Sequence, residues 1–123
     1  MHLEIPTPTP TTVRAEQIIR LAQLSIVSER AGDIHVLDLT GEIDLANAAL
    51  VEDELRRIEA TDAAVILVDL GGISFIDSTG IKVLITAALR SQQTSRLLLE
   101  RPSPAVLRVL RIAGVAELLP LAA

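Results

Sequence analysis

Residues 63–70 read AAVILVDL, a short unbroken apolar run rich in β-branched side chains. This pattern predicts a strand buried on both faces and parallel to a neighbour. The segments that flank it have a different period. Upstream, LANAALVEDELRRIEA (45–60) places Leu45, Ala48, Val51, Leu55 and Ile58 at steps of three and four, one face of a helix. Glu52 with Arg56 and Asp53 with Arg57 form acid-before-base pairs four apart, the favoured orientation, and Asp44 is placed to cap the helix. Downstream, TGIKVLITAALRSQQ (79–93) has helical spacing, with Ile81, Leu84, Ile85 and Ala88 on one face.

The remaining elements follow from local signals. LAQLSIVSE (21–29) and the alternating IHVLDLTG (34–41) predict a β-hairpin around the turn Ala31-Gly32-Asp33. GGISFID (71–77) reads as the loop after the buried strand, and SRLLLE (95–100) as another strand. Pro102 and Pro104 punctuate the start of a helix over PAVLRVLRIAG, which Gly114 ends. Val115 to Leu121 adds a last short edge strand. Residues 1–21 are expected to be a partly disordered tail or linker: Pro6, Pro8 and Pro10 alternate with threonines and favour extended structure, and VRAEQIIRL (13–21) forms a short helix or linker. The order is β-β-α-β-α-β-α with a terminal β, an α/β fold with a mixed sheet and helices packed on it.

Composition excludes several functions. At 123 residues the chain makes one domain with its own core. Phe75 is the only aromatic residue, so a stacking platform for single-stranded nucleic acid is not expected. The net charge of -5 and the lack of a basic run disfavour nucleic acid and anionic membranes as partners. There is no cysteine, hence no disulfide or thiolate chemistry. No apolar stretch reaches transmembrane length and no signal core is present, so a cytoplasmic location without membrane insertion is expected.

Asp77-Ser78-Thr79-Gly80 stands between the buried strand and the second helix. Asp, Ser and Thr are all preferred N-caps, so one reading is capping alone. The other starts from position, because loops at strand carboxyl ends are where open α/β sheets place their sites. A helix N-terminus tolerates a phosphate, so Ser78 can carry one, adding about -1.5 to -2 of charge. A nucleophilic serine needs a general base. The predicted fold offers His35 alone, in a hairpin strand, and the segment is not Gly-x-Ser-x-Gly. Asp69 and Asp77 lack the further acids of a Mg²⁺ site, and Gly71-Gly72 is no phosphate-cradling loop. No enzyme, metal or cofactor is therefore expected. Glu42 and Asp44, in TGEIDLANA, read either as a turn with an N-cap or as a second loop beside Ser78.

TGEIDLANAALVEDEL, VILVDLGGISFIDSTGIKVLI and SPAVLRVLRIAGVAELLPL, in this order, resemble the STAS domain family and, within it, the bacterial anti-sigma factor antagonists. The resemblance spans residues 22–121 and implies a single STAS domain there, a mixed sheet with helices packed on one side. It implies an anti-sigma factor with serine kinase activity as partner, phosphorylation at Ser78 with Thr79 as a secondary candidate, and reversal by a PP2C-type phosphatase. It also implies that Asp77 shapes the loop, and that Glu42, Asp44, Thr79, Gly80 and Lys82 contribute to the docking surface. The alternative within the family is a scaffold or accessory subunit of a stress-signalling or transporter complex. RSQQTSR (90–96) lacks the glycine often found there in the family.

Overall fold

The apolar run becomes an interior strand of a five-stranded sheet, next to its edge. The computed structural model describes residues 14–122, and the expectation for the Pro-Thr segment lies outside them. The elements are β1 (Arg14–Leu21), β2 (Leu24–Ala31), β3 (Ile34–Ile43), α1 (Ala48–Glu59), β4 (Val65–Ile76), α2 (Ser78–Ser91), β5 (Leu97–Glu100) and α3 (Pro104–Ile112), followed by a 3₁₀ turn at Ala116–Leu118. The sheet order is β1-β2-β3-β4-β5. β1, β2 and β3 are antiparallel neighbours, and β3, β4 and β5 are parallel.

The connections β3-α1-β4 and β4-α2-β5 are consecutive parallel crossovers. Their common hand puts both helices on one face of a sheet that grows in one direction. Arg90 on α2 holds the two helices together, reaching Glu59 at 2.8 Å and Glu52 at 2.7 Å on α1. Leu24, Ile26, Leu37, Leu39, Ile66, Val68, Leu70, Leu97 and Leu99 of the strands join Val51, Leu55 and Ile58 of α1, Leu84 of α2, and Val106 and Leu110 of α3 in one apolar cluster. Arg96 closes the carboxyl end of α1, donating to the carbonyls of Glu59, Thr61 and Ala63 at 2.8 to 2.9 Å.

Several expectations change. VRAEQIIRL is neither helix nor linker: residues 14–21 form β1, with Ile19 beside Ile26 of β2. The β1–β2 turn carries no glycine or proline. Ala22 takes the left-handed conformation there (φ 56°). The domain boundary expected at residue 22 falls in the turn between β1 and β2. VILVDL is buried on one face only, alternating buried and half-buried, because the helices share one side of the sheet. GGISFID is no loop, since β4 runs on to Ile76. Gly71 and Gly72 sit at a register shift against Asp38 and Thr40, where a side chain on Gly72 would lie 3.2 Å from the Leu39 carbonyl, a bulge rather than an end. Leu45 lies outside α1 and is 79% exposed. Arg57 reaches Glu54, whereas Arg56 pairs with Glu52 as expected. Ser95, in the turn before β5, adopts a left-handed φ of 55°. The terminal strand reduces to one parallel bridge, Leu121 with Leu99.

Two features hold the frame in place. Between α1 and the sheet lies a buried polar cluster. Ser28 donates to Glu54, Arg57 pairs with Glu54 at 2.6 Å, and His35 is fully buried nearby. Burial pushes the Glu54 carboxyl up, but the hydrogen bonds from Arg57 and Ser28 and the charges of Arg57 and His35 outweigh it and hold the group below its ordinary range. At the other end of β3, Gly80 lets the first turn of α2 sit against the strands. A Cβ there would come within 2.7 Å of Ile76 Cγ1 and 2.8 Å of Ile43 Cγ2. These are branch atoms close to the backbone, which cannot swing away.

A depressed folded-state pKa contributes stability above the unfolded value of 4.5, lost as pH falls through the folded one. Glu54→Gln should therefore lower unfolding free energy at neutral pH by about 1–3 kcal/mol and flatten the acid-side decline in urea titrations run from pH 7 downwards. Gly80→Ala should be destabilising by about 1–3 kcal/mol in the same assay, despite alanine's better helix propensity.

Candidate functional site

β3 and β4 run side by side to their carboxyl ends, with Glu42 opposite Phe75 and Ile43 opposite Ile76. The chain leaves each strand at the same edge, so the β3–α1 loop and the start of α2 become neighbours. The Asp77 amide donates to the Ile43 carbonyl at 3.1 Å. Gly41, at φ 110°, fixes the approach of Glu42. A Cβ on Gly41 would meet the Gln23 carbonyl oxygen at 1.9 Å, and the Glu42 amide donates to that oxygen at 2.8 Å. The glycine before Glu42 is thus required by the close approach of the β1–β2 turn.

Asp77 is the N-cap of α2. Its Oδ1 accepts from the Thr79 amide at 2.9 Å and the Gly80 amide at 3.1 Å, and the Thr79 hydroxyl donates to the same oxygen. The Thr79 hydroxyl, opposed by desolvation and helped by the backbone amides of Gly80, Thr79 and Leu45, holds the Asp77 carboxyl below its ordinary range. Leu45 belongs to the β3–α1 loop, which the Asp77 amide also meets at the Ile43 carbonyl. Two of the amides at this helix end, those of Thr79 and Gly80, are therefore occupied by Asp77.

The hydroxyls differ. Thr79 is half-buried and engaged with Asp77, while Ser78, the first residue of α2, is exposed, with no partner for its hydroxyl among the described residues. Lys82 is exposed one turn further along, and Gly80 is buried. Glu42 and Asp44 are half-buried. Asp44 does not cap α1. Asn47 holds the N-cap position, and Asp44 instead closes a local turn, its Oδ1 accepting from the Ala46 amide at 2.9 Å.

Three residues escape a sequence reading. Asn47 is 1% exposed. Its side chain donates to the Glu42 carbonyl at 2.9 Å and accepts from the Asp44 amide at 3.0 Å, lacing the loop shut. An asparagine just before the buried face of a helix was the available signal. Leu45, in the β3–α1 loop, and Phe75, near the end of β4, expose apolar surface at 79% and 48% on the segments that meet at the start of α2. Their exposure depends on the β3–β4 register, which no local pattern reveals. A groove of 560 Å³ lies apart from this surface, along α3 between Pro102, Pro104, Leu107, Arg108, Arg111 and Ile112. His35 lies near the opposite end of the sheet, paired with Ile66. Among the described residues no His, Asp and Glu cluster able to hold a metal occurs, and no helix is long and apolar enough to cross a membrane.

Known proteins are similar in sequence and in fold. The STAS domain model matches residues 25–123. An anti-sigma-B factor antagonist of Listeria monocytogenes is 32% identical over 95 residues, which cover 76% of this chain and 82% of that protein. An anti-sigma factor antagonist from Mycobacterium paratuberculosis has the same fold, with a TM-score of 0.70 at 20% identity over 94% of this chain and 89% of that one. The Bacillus cell fate determinant SpoIIAA in its phosphorylated form superposes with a TM-score of 0.53 at 20% identity, covering 87% and 90%. The sheet order, the loop built on Asp77 and the match across residues 25–123 lead to one assignment: the chain belongs to the STAS domain family.

Proposed function

We propose that this chain is an anti-sigma factor antagonist, a phospho-regulated binding module with no catalysis of its own. In its unmodified form it binds an anti-sigma factor that is also a serine kinase, and a sigma factor is thereby freed. Transfer of the γ-phosphoryl group of ATP to Ser78 ends that binding, and a PP2C-type phosphatase restores it. The exchange takes place in the cytoplasm.

The observation that carries this reading is the division of labour at the start of α2. Asp77 caps the helix and Thr79 supports Asp77, which leaves the exposed Ser78 hydroxyl without a structural duty. A serine needed only as a cap would hold amides itself. The named function of the Listeria relative supports the same reading.

The switch is electrostatic and steric. Leu45 and Phe75 offer apolar contact on the segments that meet at the start of α2, and Glu42, Asp44, Gly80 and Lys82 complete the docking surface. A phosphate there brings about -1.5 to -2 of charge and a hydration shell next to the ionised Asp77. A penalty of about 3 kcal/mol lowers affinity by roughly two decades, enough to change partners.

Incubation with ATP and candidate anti-sigma kinases should add the mass of one phosphate to the wild-type chain and none to Ser78→Ala. A folded chain that gains no phosphate with any candidate would favour a scaffold subunit instead. Ser78→Ala should bind the partner constitutively, and Ser78→Asp should bind it more weakly in calorimetric titration. Equal affinity of Ser78→Asp and wild type would refute the electrostatic account.

A further inference from the structure

Lys82 is the only lysine in the sequence; every other basic side chain apart from the histidines is an arginine. It is exposed on α2 four residues after Ser78, and no carboxylate among the described residues pairs with it. The charged groups brought close to Ser78 by the loops are otherwise acidic: Asp77 directly before it, and Glu42 and Asp44 on the neighbouring loop.

A phosphate on Ser78 has few places to go. The Thr79 and Gly80 amides already donate to Asp77 Oδ1, and the Ile81 amide donates to the Asp77 carbonyl. The Ser78 amide alone has no partner there among the described residues; one neutral amide does not neutralise a dianion, so the compensating charge has to come from a side chain. Residues four apart share one helix face, with Cβ atoms about 5–6 Å apart, and an anion N-terminal to a cation is the favoured orientation. The length of a lysine side chain and the reach of a phosphoserine span that gap.

We propose that phosphoserine at position 78 pairs with Lys82 within α2, so that phosphorylation also withdraws from the partner the one lysine cation of this surface. The inference rests on the reading of Ser78 as the modified residue. The modification then acts twice on the same face. It installs a dianion beside Asp77, and it occupies the ammonium group that the unmodified protein presents to a partner's carboxylates. Lys82 is a positioning residue for the phosphate and takes no part in its transfer.

The test uses the full chain with phosphoserine inserted at position 78 during translation, which requires no kinase. A ³¹P NMR pH titration follows the second ionisation of the phosphate. With Lys82 present, its midpoint should lie about 0.3 pH unit or more below that measured with Lys82→Gln, and Lys82→Arg should restore most of the difference. Because the sequence holds one lysine, selective labelling yields a single ammonium signal, which should shift as the phosphate ionises. Superimposable titrations with and without Lys82→Gln, or an ammonium signal indifferent to the phosphate, would overturn the proposal. The kinase experiment fails independently: pairing without any kinase would sink the switch and leave the pair, whereas kinase modification without pairing would sink the pair alone.

Discussion

The parallel pairing of β3 with β4, from Ile34 beside Val65 to Ile43 beside Ile76, is the constraint on which the rest of the molecule depends. It crosses the greater part of the sheet, and both helical crossovers hang from it. Because the two strands end together, the loops that follow them are forced into contact. Asp77 can then serve the backbone on both sides, and Gly80 can sit beneath Ile43 and Ile76. A slip of one residue would exchange the faces of β4. Val65 and Leu67 would turn toward the helices, and the docking surface would be dismantled with the core.

Much of this frame could be read from residues. The steps of three and four in Val51, Leu55 and Ile58 marked the buried face of α1, and the alternation of IHVLDLTG marked β3. The misreadings have local causes. β1 was hidden because its turn uses Ala22 in a conformation that usually signals glycine. Gly71 and Gly72 carry a loop signal, but they form a bulge in a strand that continues. VILVDL was read as buried on both sides, since composition reports how apolar a strand is and not how many layers cover it.

The site was legible in part and for a clear reason. Asp-Ser-Thr-Gly names every residue of the α2 cap in sequence, because capping is a matter of bonds two and three residues long. The neighbouring loop is another matter. Asp44 looked like a cap by type and position, but Asn47 took that place and turned its amide inward to hold Glu42 and Asp44. The exposure of Leu45 and Phe75 follows from long-range pairing and leaves no trace in the one-dimensional pattern.

The strand order has a consequence for how the chain is made. Because the sheet runs β1-β2-β3-β4-β5 in the order of the sequence, each strand that leaves the ribosome finds its hydrogen-bonding neighbour already out, and no strand waits for a later one to fill a gap. α1 is the exception to this orderly growth. Its last carbonyl, that of Glu59, and those of Thr61 and Ala63 in the segment that follows are held by Arg96, between 33 and 37 residues downstream. Local donors from Ala60 and Thr61 close the carbonyls of Arg56 and Ile58, but the Glu59 carbonyl and the segment behind it wait for the guanidinium, which works as a late latch on an assembly otherwise built from front to back.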